Sequence, residues 1–427
     1  VLNRWFQYRE RGSTLSTEIM AGISTFLALS YIFVVNPAIL GQAGVPRQAV
    51  FFATVATSAV ATLAMALWAN LPFVLAPGME INAYVAFYAV AVAGLTWREA
   101  LGAVFWSGVL FLVLTLSGVR RGIILSLPET MKAALASTVG ALLAAVAFRI
   151  SGLLRYDGVV LAGLGRVDAS AAVLAATTAI VFVLARLRVR GAVLSSIFAG
   201  VAIAHWLHAG GGDTIRSSRG GDLFSAIGAA DLSVVARPSA WSIVLVLFLV
   251  DFYGSVAKLV GLLRRTELAG DGAVPRLREA LLVDGVAAAG GSLLGTTSVL
   301  VYAESGVGIA AGGRTGLTAL TAALAIAATF AAAPLLAYVP VVATTGALLY
   351  VAAQLSPTAA ELRAHDGWEL AAIAGMAGIV VTTFALDGAL LFGLSVHLVR
   401  DFFRGVRLNP YIAGSVGLLL IGRAVAL

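Results

Sequence analysis

The sequence has 427 residues, 60% of them hydrophobic and only 11% charged. Soluble globular chains carry about 25% charged residues, so this composition excludes a soluble enzyme and describes a polytopic membrane protein. The absence of cysteine excludes disulfides and thiolate metal sites, and the net charge of +7 sits in short basic clusters between apolar spans, the pattern of topology signals rather than of a nucleic-acid surface.

A membrane-crossing helix needs about 20 mostly apolar residues. The first such span covers residues 19–40, and Arg4, Arg9 and Arg11 ahead of it read as a cytoplasmic N-terminus rather than a signal peptide. The second covers 49–69, and the third, 73–94, is interrupted by Ala76-Pro77-Gly78. Spans four to seven fall at 100–116, 133–150, 169–185 and 192–207. A loop rich in Gly, Arg and Asp, 208–238, then divides the chain. Span eight, 241–263, carries Asp251 near its middle, and span nine is 280–294. The tenth is an apolar run holding Glu304, followed by five glycines within residues 306–316. Such glycines are expected to interrupt a regular helix. Spans eleven to fourteen cover 317–333, 339–355, 368–386 and 388–403, and a last apolar piece, 411–427, either lies in the interface or adds a pass.

Basic residues test this layout. With the N-terminus inside, even-numbered loops should be the richer in Arg and Lys. They hold Arg120 and Arg121; Arg186, Arg188 and Arg190; Arg264, Arg265, Arg276 and Arg278; Arg363; and Arg400, Arg404 and Arg407, whereas the outside loops 41–48 and 95–99 carry single arginines, Arg47 and Arg98, and the long mid-chain connection counts less. Seven spans precede the dividing loop, so the second half starts from the opposite side of the membrane. The expected fold is all-α, with about fourteen helices in two inverted seven-helix repeats, 1–210 and 240–427, joined by 211–239. The third span of each half is broken, and interrupted segments at corresponding positions point to a transporter's binding site.

Ionisable groups at membrane depth are costly and functional by default. Glu80, Asn82, Asp251, Lys258 and Glu304 stand out against the apolar background. A carboxylate taken out of water holds a proton more readily, and can also accept hydrogen bonds from the ring N–H groups of a flat heterocycle. Asp251, Ser255 and Lys258 are spaced to share one helical face, so Lys258 either pairs with Glu80 or Asp251 or snorkels to the inner interface. Phe252, Tyr253 and Tyr302 neighbour the acids and either stack on a ligand or simply pack. Glu18 and Asp284 read as positioning the ends of broken helices. His205, His208, His365 and His397 make no metal cluster, and Gly312-Gly313-Arg314-Thr315-Gly316 lacks the lysine of a phosphate loop, so no metal or cofactor is expected.

The chain resembles the AzgA-like purine permeases of the nucleobase–cation symporter-2 group. The matching segments are Thr17-Glu18-Ile19 with Ala21-Gly22, Val35-Asn36-Pro37, Ala76-Pro77-Gly78-Met79 with Asn82-Ala83, Val250-Asp251-Phe252, Tyr302 with Glu304-Ser305, and Gly312-Gly313-Arg314-Thr315-Gly316-Leu317-Thr318. The resemblance implies a core domain from spans one to four and eight to eleven and a gate domain from five to seven and twelve to fourteen. It also implies a homodimer in the cell membrane and proton-coupled uptake of adenine, guanine or hypoxanthine, with no enzymatic activity. Asn82, Asp251 and Glu304 match the family's substrate-site positions. Glu80, Phe252, Tyr302 and Ser305 adjoin them, and Asp251 and Glu304 are the expected proton-coupling acids. Three positions depart from the pattern: Glu80 stands where the family has Gly, Gly254 where it has a second acid, and Lys258 is additional. The competing readings are an anion carrier of similar architecture, which would need a cationic centre, and a membrane-embedded hydrolase using Asp251 and Glu304.

Overall fold

The computed structural model describes residues 2–117, 129–157, 160–189, 191–209, 222–265 and 276–426. Arg120, Arg121 and Arg190 of the topology argument lie outside the described residues, as do the side chains of Tyr253, Arg264 and Arg265. A short helix, α1 (Leu2–Phe6), leads to α2 (Leu15–Leu29), whose first turn is capped by Thr14 accepting from the Thr17 N–H. The chain turns at Ser30–Tyr31 and continues as α3 (Ile32–Gln42), then crosses back as α4 (Arg47–Ala64) with a π-helical turn to Ala69. Among the described residues six helical segments are long and apolar enough to cross a bilayer, residues 15–42 and 47–69 among them. The protein is a multi-pass membrane protein.

The third crossing starts as a strand. Proline cannot sit in a helix interior without losing a hydrogen bond and clashing with the preceding turn, and here β1 (Leu75–Pro77) is extended before α5 (Met79–Tyr84) begins after Gly78. The tenth crossing does the same with β4 (Val299–Val301). The two strands pair antiparallel, Leu75 with Val301 and Pro77 with Val299. The Gly78 N–H donates to Ser298 O at 2.9 Å and the Tyr302 N–H to Val74 O at 3.0 Å. Exposed backbone polar groups cost several kcal/mol each in a bilayer. The two breaks therefore stabilise each other.

The tenth span is broken ahead of Glu304 rather than by the glycines after it. Gly306 and Gly308 lie inside a regular helix, α12 (Ser305–Ala310). A side chain on Gly308 would collide with Thr25 Oγ1 and Ala21 O, so this glycine lets α12 pack against α2. Gly312, at φ 98°, turns the chain out toward α13 (Gly316–Ala328).

The remaining elements are α6 (Trp97–Leu116), α7 (Glu129–Ile150), the hairpin β2 (Leu154–Asp157) and β3 (Val160–Leu164), α8 (Ala169–Arg186) and α9 (Ala192–Trp206). The second half supplies α10 (Ala240–Arg265), α11 (Leu277–Leu294), α14 (Thr345–Leu355), α15 (Ala359–Ala364), α16 (Gly367–Thr383) and α17 (Leu386–Phe403). The last apolar piece is a further helix, α18 (Pro410–Ala426), packed on α10 and α17.

Helix packing carries the signature of an inverted repeat. Shifting each crossing by seven positions maps α2 onto α10, α4 onto α11 and α6 onto α13. The contact of α2 with α13 then becomes that of α10 with α6, and α4 with α13 becomes α11 with α6. The contacts α4–α11 and β1–β4 map onto themselves. Among the other crossings, the α7–α14 contact is its own image, while α8–α14 mirrors α16–α7 and α8–α9 mirrors α16–α17.

Candidate functional site

Two buried acids are used up by the scaffold. Glu18 is fully buried on α2 and accepts hydrogen bonds from the N–H groups of Arg314, Thr315 and Thr318 and from both threonine hydroxyls, at 2.6–3.3 Å. The first N–H groups of a helix have no partner within it and form its positive end. Glu18 therefore caps α13, helped by Asn70 Oδ1 accepting from the Gly316 N–H at 2.8 Å. The stretch Gly312-Gly313-Arg314-Thr315-Gly316 is thus a capping structure. Asp284, on α11, accepts from the Val301 N–H at 3.0 Å and from the Ser255 hydroxyl, tying β4 to α10.

Between core and gate lies a cavity of about 570 Å³, within the roughly 300–1,000 Å³ of small-molecule sites. Its core wall presents Tyr31, Glu80, Gly254, Lys258, Tyr302 and Glu304, and its gate wall Thr138, Val139, Tyr350, Gln354 and Leu390. Exposed Arg188, at the end of α8, also borders it. Glu304 sits just ahead of α12 and is partly exposed to the cavity; its Oε1 accepts from the Tyr31 hydroxyl at 2.8 Å. The Tyr302 hydroxyl donates to Pro77 O at 2.6 Å, across the two chain breaks. Lys258 Nζ lies 2.6 Å from Glu80 Oε1 and 5.4 Å from the centre of the Tyr302 ring.

The remaining sequence candidates are close by but do not line the cavity. Asp251 is fully buried on α10, next to Val250 and one turn from Gly254, which do line it. Neither of its carboxylate oxygens makes a hydrogen bond among the described residues, although Ser298 faces it. Asp251 and Glu304 share Lys258 and Glu80 as charged neighbours. Asn82 accepts from the Thr297 hydroxyl and links α5 to the approach to β4. Ser305 Oγ accepts from the Val74 N–H at 3.0 Å. Phe252 packs against Phe248 and Phe111, with ring centres 5.5 and 6.2 Å away.

Two of the departures noted in the sequence meet in space. A side-chain carbon added at Gly254 would lie 3.4 Å from Glu80 Oε1. Glu80, on span three, thus reaches the space beside the position on span eight where the family resemblance implies an acid. Tyr31, Tyr350, Gln354 and Arg188 are the cavity residues that sequence reasoning missed. A lone tyrosine beside Ser30 in an otherwise apolar span is the only signal Tyr31 leaves.

Comparison with known proteins supports this picture. Residues 16–361 match the Permease family. The chain is 32% identical to the adenine permease AdeP of Escherichia coli (strain K12) over 410 residues, 95% of this chain and 91% of that protein. It is also 32% identical to the guanine/hypoxanthine permease PbuO of Bacillus subtilis (strain 168), over 92% of each chain. Among solved structures, the transmembrane domain of a cyanobacterium bicarbonate transporter, BicA, superposes with a TM-score of 0.66 at 15% identity, covering 89% of this chain and 97% of that one. That likeness shows the fold, an inverted-repeat core and gate.

Proposed function

This chain belongs to the Permease family, as an AzgA-like purine permease of the nucleobase–cation symporter-2 group, and from that premise we propose that it imports purine nucleobases coupled to protons, by movement of the core against the gate. It is a transporter rather than an enzyme. The observation that carries the substrate reading is Glu304, in the cavity wall, where Tyr31 is the one side chain among the described residues that donates a hydrogen bond to it. A carboxylate oriented by one tyrosine keeps its other oxygen for the N–H edge of a planar base. Tyr302 supplies an aromatic wall against which such a base can stack.

Asp251 is the proton-linked acid in this reading. It is fully buried and its carboxylate oxygens make no hydrogen bond among the described residues, so charging it there is expensive without a rearrangement of its neighbours. Movement of the core would give it access to water on one side at a time. Asn82 acts as a positioning residue, holding the two breaks together through Thr297. The gate comprises spans five to seven and twelve to fourteen, the protein lies in the cell membrane with its N-terminus cytoplasmic, and two copies form a dimer.

An anion-carrier mechanism is less well supported by the site. Lys258 is the cation of the core wall, and it is neutralised by Glu80 at 2.6 Å. Purified protein in liposomes tests the proposal. Adenine, guanine or hypoxanthine should enter when an inward proton gradient is imposed, and inorganic anions should not. Purine uptake indifferent to the gradient would remove the coupling, and bicarbonate or sulfate entry without purine entry would overturn the substrate class.

A further inference from the structure

Resting on the purine reading, we propose that Lys258 recognises the exocyclic oxygen of an oxopurine, so that the site selects bases of the hypoxanthine type over adenine. The observation is which end of the ion pair faces the cavity. The Lys258 side chain is 18% exposed and that of Glu80 only 6%, so the pair presents its ammonium to the ligand and keeps its carboxylate behind.

An ammonium has three N–H donors and no acceptor. Among the described residues Glu80 takes one of them, and Lys258 lines the cavity, where a ligand can meet the others. The Tyr302 ring, 5.4 Å from Nζ, restrains the ammonium from the other side. Gly254 leaves open the space that a side chain would fill next to Glu80 Oε1, so the lysine reaches its partner without obstruction. Lys258 is also a charged neighbour of Glu304.

The core wall therefore offers an acceptor, Glu304, and a donor, Lys258, to the same ligand. Hypoxanthine has ring N–H groups and an exocyclic oxygen to match them. Adenine has an amino group in place of that oxygen, which would set donor against donor. A site built to hydrogen-bond a group rejects the analogue that lacks it far more strongly than a hydrophobic pocket rejects a change of size.

If Lys258 only neutralised Glu80, its loss would weaken all purines alike. The test is therefore the ratio of hypoxanthine to adenine affinity, measured by equilibrium binding to the purified full chain. Wild-type protein should favour hypoxanthine by roughly tenfold or more. The charge-neutral Lys258→Met/Glu80→Gln double variant should lose that preference, mostly through weaker hypoxanthine binding. Lys258→Gln, which keeps a donor without the charge, should retain part of it. Equal or tighter binding of adenine by wild-type protein overturns the inference even if no variant folds. So does a double variant that weakens both bases by the same factor. Both bases binding with an unchanged ratio in the variants sinks this inference alone, whereas no purine binding at all overturns the transport reading beneath it.

Discussion

Glu18 and Glu304 are both glutamates on core crossings, yet the protein treats them differently. Glu18 accepts five hydrogen bonds from the start of α13 and is fully buried. Glu304 accepts from one side chain among the described residues, Tyr31, and faces a cavity. The same contrast divides the aspartates: Asp284 holds the Val301 N–H and the Ser255 hydroxyl, whereas Asp251 has no hydrogen bond among the described residues. A buried carboxylate is stable when its lone pairs are filled and costly when they are not. Filled acids are therefore structural elements, and the unfilled ones are where a ligand or a proton can be taken up.

The contrast is sharpest if its structural side is broken. Glu18→Ala would strand three N–H groups and two hydroxyls at the start of α13. Breaking a buried charged network costs about 3–5 kcal/mol, and the variant should fail to give folded protein by size-exclusion in detergent. A variant with normal thermal stability would show that the Glu18 network contributes little.

On the functional side, Glu304→Gln should behave in the opposite way. Thermal stability should stay near wild type, because one hydrogen bond from Tyr31 contributes only about 1–3 kcal/mol, while purine binding by calorimetry should fall by about a hundredfold or more, the loss of roughly 3 kcal/mol of charge-assisted contacts. Retained purine affinity would remove Glu304 from the site.

Asp251→Asn replaces an acid whose oxygens make no hydrogen bond among the described residues, so stability should be unchanged or higher. Purine binding should persist, and uptake should lose its dependence on the proton gradient. Uptake with a normal gradient response would mean that another group carries the proton.

The smallest effect is expected at Tyr31→Phe, which leaves Glu304 in place but unheld. Affinity should weaken by about fivefold, equivalent to roughly 1 kcal/mol, with no change in thermal stability beyond a few degrees. A loss as large as that of Glu304→Gln would show that Tyr31 touches the ligand itself.

Much of this arrangement is legible in the chain. Hydropathy marks the crossings, the arginine-rich loops orient them, and Ala76-Pro77-Gly78 announces the first break because proline has no N–H to give a helix. The second break is harder to read. The glycines beside Glu304 draw attention, yet Gly308 serves close packing on α2, and the extended segment is Val299–Val301, whose β-branched ends suit a strand. Among the acids, the sequence separates Glu18 and Asp284, as holders of broken-helix ends, from Asp251 and Glu304, as site candidates, but it does not name their partners.

Composition and local pattern alone therefore determine that this protein spans a membrane many times, in two opposed halves with matching interruptions, because those properties depend on residues within about twenty positions of one another. Tertiary structure decides which carboxylates are filled and which stay open. Tyr31 reaches Glu304 across 273 positions, Lys258 reaches Glu80 across 178, and Glu18 reaches Thr318 across 300. Such pairings exist only after the two repeats close on each other, since a hydrogen bond requires its atoms within about 3 Å and no local periodicity sets that distance between remote segments.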